Sequence, residues 1–527
     1  MAVNSDLKVS TLLPESPNHE NEIPNNLKDI SASISSSDLE KATPNTTETL
    51  SIEPNLVTWT SPTDPRNPKN WPKTSKWLVT GIVSLFLFVT IMCSTVISPA
   101  LPAIGADLHI ENDAELQTAM SIYVLGYAFG PLFLAPLSEL YGRVRVLQLS
   151  NVYFVIWSVV CGFARTKEQM IVARFMAGIG SSAPLGIGGG ILSDVWHAAE
   201  RGQSTALYSF LPLLAPAFGP LIGGFISQNL NWSWSFWIMA IVTTPPIILS
   251  FFVFRETYAP VILHRLAAKL RKETGNHDLY TIYDKERPSL PTRLRIALTR
   301  PTLMLFQQPI IQVWALFGAY SFGLLYIVLT TFPTLWIDQY GQSPSEAGLQ
   351  CLWLGLGFTT GICIGGIFQD RIYVYLRKRY LQTSEEITHP PVAEHRLPLM
   401  IPSVLFMSIG LIIYGWTARA HTHWVGPGIG SVIYTTGYEI FAQCSVAYII
   451  DAFPVHTASA LAAVSVSKSV AGFAFPLFAP ALYNALGWGY GNTVLAAVAF
   501  GLGMPVICGL WAWGRKVRDV SWGKKRV

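Results

Sequence analysis

Twelve apolar segments, each long enough to cross a membrane as a helix, constrain the fold of this chain more than any other feature. The hydrocarbon core of a bilayer needs about 20 apolar residues per helix. Half of the 527 residues are hydrophobic and only 13% are charged, whereas a soluble chain carries roughly a quarter charged residues. The sequence therefore predicts an all-α polytopic membrane protein with spans at approximately 77–99, 117–138, 146–164, 169–193, 204–227, 235–254, 309–334, 346–369, 397–418, 424–450, 458–482 and 489–513.

A polar segment, residues 255–308, divides the twelve spans into two sets of six. Residues 1–76 are rich in Ser, Asn, Pro, Thr and Glu, a composition that cannot bury enough apolar surface to fold alone. The predicted organisation is a disordered cytosolic N-terminal tail (1–76), an N-terminal six-helix half (77–254), a cytosolic central loop (255–308), a C-terminal six-helix half (309–513) and a cytosolic C-terminal tail (514–527).

The distribution of Lys and Arg predicts the orientation of the spans. With the N-terminus inside, 31 of the 36 Lys and Arg residues fall in cytosolic segments, and the outer loops hold only Arg165, Lys167 and Arg419. This is the bias of the positive-inside rule. Both termini are therefore expected in the cytoplasm, and the net charge of +4 indicates contacts with anionic membrane lipid rather than with nucleic acid.

The sequence gives no candidate for a nucleotide site, a cofactor or a metal ion. It contains no G-x-x-x-x-G-K-[ST] loop that would hold a nucleotide phosphate. The six cysteines all fall in apolar runs without a C-x-x-C pair, which is typical of small buried side chains. We interpret the chain as a carrier driven by a gradient rather than an enzyme.

A short motif lies in the inner loop between spans two and three, Ala135-Pro-Leu-Ser-Glu139-Leu-Tyr-Gly142-Arg143. A carboxylate at a helix end can pair with cations and with a neighbouring helix terminus, which would hold the two halves in one conformation. A plainer alternative is that the arginines here only fix topology. The start of the motif recurs after span eight as Asp370-Arg371, which indicates an ancestral repeat of six spans. The predicted inner gate comprises Glu139, Gly142, Arg143, Asp370 and Arg371.

Span five carries a cluster of Gly and Pro residues. Pro216, Gly219, Pro220, Gly223 and Gly224 all fall between Gln203 and Ile226. Gly and Pro in a membrane helix create a kink and a groove for close packing, because neighbouring helices re-satisfy the freed backbone groups. Such a helix can bend or rock.

These motifs resemble those of the major facilitator superfamily and, within it, of the fungal twelve-spanner drug:proton antiporters. The resemblance covers about residues 64–522 and includes the segment Asp64 to Trp71 before span one and Arg174 to Gly180 in span four. The inner-loop motif departs from the family pattern at Ala135, Glu139 and Leu140, where Gly, Asp and Arg are usual. The span-five motif is similar to that of antiporters more than to that of nutrient symporters. The resemblance implies two six-helix halves and export by proton exchange.

Three ionisable side chains lie well inside predicted spans: Arg174, Glu439 and Lys468. The family resemblance implies that Arg174 faces the central cavity and takes part in proton coupling, although an arginine near the outer end of span four could also reach the outer headgroups. A carboxyl group removed from water can exchange a proton near neutral pH, which makes Glu439 the predicted proton carrier. Alternatively, Glu439 only pairs with Lys468 or the backbone as a packing element.

Five tyrosines in the spans are candidates for stacking on a flat or cationic ligand: Tyr123, Tyr127, Tyr208, Tyr320 and Tyr326. Ordinary helix packing is the alternative role for each of them. Asn231-Trp-Ser233 is a glycosylation sequon on the predicted outer side, close to the membrane surface. Asp194 and Asp451, at the inner ends of spans four and ten, are interpreted as gate residues or solvated helix ends.

The sequence thus predicts proton-coupled efflux of small amphipathic organic compounds, such as drugs, toxins or secondary metabolites, by alternating access. A proton-coupled importer of a small nutrient is the main alternative, and a membrane sensor without transport is a further one. The expected partners are a small-molecule substrate, protons and membrane lipid, with no nucleic acid, and the expected state is a monomer. The plasma membrane is the predicted location, with the vacuolar membrane as the alternative.

Overall fold

Long apolar helices make up most of the computed structural model, which describes residues 55–197, 200–284, 289–383, 393–454 and 456–523. In the N-terminal half the helices are α1 (Lys73–Thr95), α2 (Leu101–Asp107), α3 (Asp113–Tyr141), α4 (Arg143–Gly162), α5 (Lys167–Ser181), α6 (Ala183–Val195), α7 (Arg201–Asn229) and α8 (Trp234–Val253). Then follow α9 (Ala259–Thr274), α10 (Leu290–Gln307), α11 (Pro309–Thr334), α12 (Pro344–Gln350), α13 (Leu352–Thr383), α14 (Met400–Arg419), α15 (Val425–Ala452) and α16 (Thr457–Gly523). Two short strands, β1 (Leu56–Val57) and β2 (Tyr280–Thr281), form a two-stranded sheet.

Each of the twelve predicted spans falls on a helix, which confirms the predicted fold class. Within the described ranges, ten helical stretches are long and apolar enough to cross a membrane. One of them, Thr457–Gly514, contains both span eleven and span twelve, and Gly487 interrupts its helical geometry with a φ of 69°. Span ten corresponds to α15, a helix of 28 residues rich in Gly, Ser, Thr and Tyr.

The helices extend beyond the apolar segments that predicted them. The helix of span one begins at Lys73, and α16 continues to Gly523, so both reach into the segments predicted as tails. Residues 1–54 of the predicted N-terminal tail lie outside the described residues. Polar residues at the ends of membrane helices are expected at the membrane surface, so a search for apolar segments does not include them. The central loop likewise contains two helices, α9 and α10.

Each half has its own apolar core. Phe86, Phe154 and Phe236 are fully buried in the N-terminal half, and Trp314 and Trp336 are fully buried in the C-terminal half. Between the halves, α3 packs on α16 and α7 packs on α12 and α13. The central-loop helix α10 contacts both α3 and α16, so it touches one span of each half.

Spans two and four pack with their backbones almost in contact. A Cβ atom on Gly126 of α3 would lie 2.3 Å from the carbonyl oxygen of Phe175, and one on Gly178 of α5 would lie 2.3 Å from that of Tyr123. Close approach of this kind requires glycine at both positions. It brings Arg174, in the same turn of α5, directly onto α3.

Candidate functional site

Arg174 is buried at the centre of the N-terminal half. It is 0% exposed, and its guanidinium donates hydrogen bonds to the carbonyl oxygens of Cys93 and Met120, both at 3.0 Å. The guanidinium carbon also lies 4.6 Å from the ring centroid of Tyr123 and 5.7 Å from that of Phe236. Cys93 is in the last turn of α1, where carbonyl groups lack partners within the helix.

Backbone dipoles and aromatic faces therefore surround the charge of Arg174, and no ion pair involves it within the described ranges. With its side chain fully buried, Arg174 does not reach the predicted outer surface. Its contact with Tyr123 nevertheless connects it to the boundary between the halves.

A small cavity of about 20 Å³ lies where the two halves meet. Tyr123 and Tyr127 line it from the N-terminal half and Tyr326 lines it from the C-terminal half. The hydroxyl of Tyr326 lies 3.4 Å from Oγ of Ser94, also in the lining. A space of this size holds about one water molecule. The two halves are therefore in contact with each other around this cavity.

The other two candidate tyrosines have packing roles. The hydroxyl of Tyr208 donates to the carbonyl oxygen of Pro184 at 2.9 Å, which joins span five to span four. The hydroxyl of Tyr320 donates to the carbonyl oxygen of Leu495 at 2.7 Å, which joins span seven to span twelve. Three of the five predicted tyrosines are thus brought together, and Tyr208 and Tyr320 are engaged elsewhere.

Glu439 and Lys468 face neighbouring spans in the C-terminal half. Oε1 of Glu439 accepts a hydrogen bond from Nε2 of Gln443, one turn further along α15, at 3.3 Å. No ion pair within 4.0 Å joins Glu439 to Lys468 in the described structure. The direct ion pair with Lys468 considered as an alternative from sequence is therefore absent from the described structure.

Glycines on adjacent spans make room for these two side chains. A Cβ atom on Gly361 of α13 would lie 2.7 Å from Cβ of Glu439. A Cβ atom on Gly318 of α11 would lie 2.8 Å from Cε of Lys468. Sequence reasoning did not find Gly318, Gly361 or Gln443. The only available signal was their place among other small or polar residues in apolar helices.

At the predicted inner face, Arg143 begins α4 and connects three other segments. Its Nε donates to Oδ2 of Asp194 at 2.5 Å, and its backbone N–H donates to Oε1 of Glu256 at 2.9 Å. Its guanidinium lies 4.7 Å from the ring centroid of Tyr258. Burial raises the pKa of Tyr258, which keeps its hydroxyl neutral. The carboxylate of Glu256 thus accepts a hydrogen bond from a backbone N–H that has no partner within α4, and its negative charge lies at the positive end of the helix dipole.

Glu256, rather than Glu139, is the carboxylate at this helix terminus. Glu139 instead forms an ion pair at 3.1 Å with Arg293 of the central-loop helix α10. Gly142 has a φ of 107°, and a Cβ atom there would lie 2.1 Å from Oε2 of Glu256. The predicted gate residues Glu139, Gly142 and Arg143 thus lie close together. The carboxylate of Glu139, however, pairs with Arg293 of the central loop.

The second half repeats the arrangement with a residue that sequence reasoning missed. Arg396, just before α14, donates from Nε to Oδ2 of Asp451 at 2.9 Å and from Nη1 to Oδ1 of Asp370 at 2.7 Å. Its guanidinium lies 4.1 Å from the ring centroid of Tyr373. Arg371, the predicted partner in this motif, is exposed.

The positions of these residues correspond between the halves. Arg143 and Arg396 each stand at the start of the third span of their half, and Asp194 and Asp451 each stand near the end of the fourth span. This symmetry was the signal that could have identified Arg396.

At the predicted outer face, the glycines of span five pack against two neighbours at once. Towards span one, a Cβ atom on Gly223 would lie only 1.8 Å from the carbonyl oxygen of Val96, and one on Gly219 would lie 2.3 Å from Oγ1 of Thr95. Towards the C-terminal half, a Cβ atom on Gly224 would lie 2.2 Å from the carbonyl oxygen of Pro344.

Further contacts join the halves at the same face. A Cβ atom on Gly348 of α12 would lie 2.6 Å from the carbonyl oxygen of Pro220. Oγ of Ser98 lies 3.3 Å from the carbonyl oxygen of Leu329 and 3.2 Å from that of Thr330. Pro216 is half-buried one turn before these contacts. The predicted outer face is therefore closed, and the Gly-Pro cluster forms part of the closure.

The candidate glycosylation site lies at the start of α8. Asn231 is exposed, and its Oδ1 accepts a hydrogen bond from the backbone N–H of Ser233 at 3.2 Å. The neighbouring Trp232 donates from its indole to Asp107 at 2.7 Å, which holds this loop against α2.

Comparisons with known proteins give consistent results. The family model described as Major Facilitator Superfamily matches residues 83–440. An uncharacterized transporter of Schizosaccharomyces pombe is 39% identical over 488 residues, covering 92% of this chain and 98% of that protein. The efflux pump vrtL of Penicillium aethiopicum is 40% identical over 469 residues, covering 89% and 91%.

Solved structures support the same architecture. The xylose transporter XylE from E. coli, in a partially occluded inward-open conformation, has a TM-score of 0.61 at 14% identity, covering 84% of this chain and 98% of that one. The human organic anion transporter MFSD10 has a TM-score of 0.53 at 17% identity, covering 83% and 99%. At these identities the likeness concerns the fold alone.

Proposed function

Because this chain belongs to the major facilitator superfamily, a family of membrane transporters, we propose that it exports small amphipathic organic compounds in exchange for protons. Relatives that share about two fifths of its residues are named efflux pumps, which supports export over import. Drugs, toxins and secondary metabolites are the substrate classes that suit an aromatic cavity with few fixed charges.

The observation that carries the proposal is the double contact of span five. Gly223 packs on span one within the N-terminal half, and Gly224 packs on α12 of the other half. The contacts of Gly224 with Pro344 and of Gly348 with Pro220 bring the backbones of the two halves together at the predicted outer face. An exporter needs such a seal, because a leak of protons would dissipate the gradient that drives it.

In this mechanism the two halves alternate between openings to the two sides of the membrane. Opening outward would separate Gly224 from Pro344 and Ser98 from Thr330. The ion pairs Arg143–Asp194 and Arg396–Asp451 each lie within one half, so they would keep each half rigid as it moves. The helix α10, which contacts both halves, would follow the movement at the predicted inner face.

Glu439 is the proposed proton carrier, with Lys468 and Arg174 as the charges that respond to its state. When Glu439 is ionised, its negative charge balances the positive charge of Lys468. The same carboxylate attracts a cationic or polar substrate into the cavity. When Glu439 takes up a proton from outside, that attraction is lost and the substrate leaves. With an uncharged substrate the inward proton carries one net charge, and 100 mV then supplies about 2.3 kcal/mol to the cycle. With a monovalent cation the exchange is electroneutral, and the pH difference drives it.

Tyr123, Tyr127 and Tyr326 are the proposed substrate contacts. They already converge from both halves on the small cavity, so opening of the halves would expose their rings on facing walls. Aromatic faces bind flat or cationic ligands without a strict requirement for shape. We further propose that the protein acts as a monomer in the plasma membrane, with both termini in the cytoplasm.

The test is the accumulation of a permanently charged fluorescent cation in cells with and without the protein. We expect the protein to lower accumulation and a protonophore to abolish the difference. Cells with the Glu439→Gln variant should accumulate as much of the cation as wild-type cells treated with the protonophore. Cells with Lys269→Ala, a change on the exposed surface of α9, should accumulate as little as untreated wild-type cells. Higher accumulation in cells with the protein would instead support the nutrient importer and contradict the proposal.

A further inference from the structure

An apolar groove of about 470 Å³ lies on the outside of the N-terminal half, between spans two, three and four. Its walls are formed by side chains of α3 and α4, and its floor by Ile179 and Gly180 of α5. A Cβ atom on Gly180 would lie 2.8 Å from the backbone nitrogen of Phe154, so the helices meet closely at this floor. The remaining lining residues are Leu134, Leu137, Tyr141, Arg145, Val146, Leu149, Ser150 and Tyr153.

The groove opens towards the lipid of the membrane. Leu149 is 66% exposed and Tyr153 is 36% exposed, as expected for side chains that contact acyl chains rather than water. From Arg145 to Tyr153 the groove follows eight residues of α4, or about 12 Å of helix. One leaflet of the hydrocarbon core is about 15 Å thick. The groove therefore has the length of an acyl chain in the leaflet at the predicted inner face.

Two arginines stand at the membrane-surface end of this groove. Arg145 is exposed and has no hydrogen bond or ion pair in the part of the chain that the structure describes. Arg265 of α9 donates from Nη2 to the carbonyl oxygen of Tyr141, a lining residue, at 3.2 Å. Burial lowers the pKa of Arg265, the positive charge of Arg145 lowers it further, and Glu256 opposes both effects.

The carboxylate of Glu256, whose charge acts on Arg265, is bound by backbone N–H groups. Its Oε1 accepts hydrogen bonds from the backbone N–H groups of Arg143, Thr257 and Tyr258, at 2.9, 3.1 and 3.1 Å. Arg145 in the lining and Arg265 bonded to Tyr141 thus place two guanidinium groups at the same end of the groove. Guanidinium groups bind phosphate oxygens well, and basic pockets between membrane helices at the cytoplasmic side bind acidic lipid headgroups.

We propose that this groove binds one anionic phospholipid from the leaflet at the predicted inner face. Arg145 and Arg265 hold its phosphate and acidic headgroup, and one acyl chain lies along α4 between Leu137 and Tyr153. Because Arg265 belongs to the central loop and Arg145 to span three, the lipid joins α9 to the N-terminal half. The site lies apart from the cavity, so lipid binding can be measured without any transported substrate.

The test is native mass spectrometry of the purified full-length protein in detergent, with phosphatidylserine or phosphatidylcholine of the same acyl chains added. We expect retained phosphatidylserine adducts and weaker phosphatidylcholine adducts. Each cation near the surface contributes about 1 kcal/mol, so Arg145→Ala and Arg265→Ala should each weaken phosphatidylserine binding about fivefold. The matched control is Lys269→Ala, one turn further along α9, where Lys269 pairs with Glu273.

Three results would overturn the proposal. Equal retention of the two lipids would mean that the groove does not select charge. Unchanged phosphatidylserine binding in the double variant of Arg145 and Arg265 would mean that the lipid binds elsewhere. Equal competition by glycerophosphoserine, which has the headgroup and no acyl chains, would mean that the arginines form a site for soluble anions. The comparison of the two lipids on the wild type holds even if a variant fails to fold.

Discussion

The carboxylate of Glu256 caps the helix that begins at Arg143, with its Oε1 2.9 Å from the backbone nitrogen of Arg143. Glu256 follows span six, and Arg143 precedes span three, so this contact fixes the entry to the central loop against the inner end of the N-terminal half. Gly142 permits the contact, because its φ of 107° and the absence of a Cβ atom leave space for the carboxylate.

The first prediction concerns Gly142. Gly142→Ala would place a methyl group 2.1 Å from Oε2 of Glu256 in a backbone conformation that favours glycine. We expect a loss of about 1–3 kcal/mol of stability and a lower thermal midpoint of the detergent-solubilised protein. The control is Gly189→Ala, a helical position with nothing within 4 Å of the added Cβ. Equal midpoints for the two variants would show that Glu256 does not constrain this loop.

The second prediction concerns the repeated arrangement at the two inner ends. Arg143 with Asp194 and Arg396 with Asp451 occupy corresponding places, so Arg396→Ala should impair transport and stability as strongly as Arg143→Ala. Removing one partner leaves a partly buried carboxylate without its hydrogen bond, which costs about 1–3 kcal/mol. A double-mutant cycle for each pair measures this coupling.

The exposed Arg371 is the control for that experiment. Arg371→Ala should leave transport and the thermal midpoint close to wild type, even though the family motif singles out this position. If Arg371→Ala were as damaging as Arg396→Ala, the second-half gate would depend on the motif and not on the observed ion pairs.

The third prediction concerns the outer seal. Gly224→Ala would bring a methyl group within 2.2 Å of the carbonyl oxygen of Pro344 in the other half, and we expect it to favour states open to the outside. Cysteines introduced at Ser98 and Thr330 report this, because Oγ of Ser98 lies 3.2 Å from the backbone carbonyl oxygen of Thr330 across the closed outer face. Cross-linking should fall severalfold in Gly224→Ala and stay unchanged in Gly189→Ala.

The fourth prediction concerns proton coupling. Glu439→Gln keeps the size of the side chain and removes its charge, so transport driven by a pH gradient should be lost and the pH dependence of the remaining substrate exchange should flatten. Gln443→Ala removes the hydrogen bond at 3.3 Å but leaves the carboxylate, so it should shift the pH profile without abolishing coupling. A normal pH profile in Glu439→Gln would assign the proton to another group.

The fifth prediction separates the tyrosines. Tyr326→Ala should weaken substrate binding, because Tyr326 lines the space between the halves. Tyr320→Phe removes a hydrogen bond to the carbonyl oxygen of Leu495, so it should lower stability by about 1 kcal/mol and leave substrate affinity unchanged. The measurements are substrate dissociation constants and thermal midpoints of both variants. A loss of affinity in Tyr320→Phe alone would reverse these assignments.

The fold was predictable from sequence because the membrane imposes a strong and simple constraint. A helix that crosses a bilayer needs a long apolar segment, and twelve such segments are visible without any knowledge of their contacts. The glycines of span five were also recognisable as packing positions. Their two partners, span one and α12, were not, because contacts between distant segments leave no trace in local composition.

The candidate site was harder to predict, since its chemistry depends on which polar groups come together. In the predicted inner gate, Glu139 pairs with Arg293 of the central loop, and Glu256 is the carboxylate at the N-terminus of the helix that begins at Arg143. Glu256 lies more than a hundred residues from Arg143 in sequence, so no local pattern connects them. Arg396 lies in a polar segment whose other cations are exposed, and only its symmetry with Arg143 distinguishes it.

The most direct test of export by proton exchange uses the purified protein in liposomes with an acidic interior, where a permanently charged fluorescent cation and the internal pH are followed together. A permanently charged compound is required because a weak base would be trapped by the pH difference alone. We expect the cation to accumulate inside while the interior becomes more alkaline, and Glu439→Gln to abolish both changes. Movement of the cation and protons in the same direction would contradict export by proton exchange.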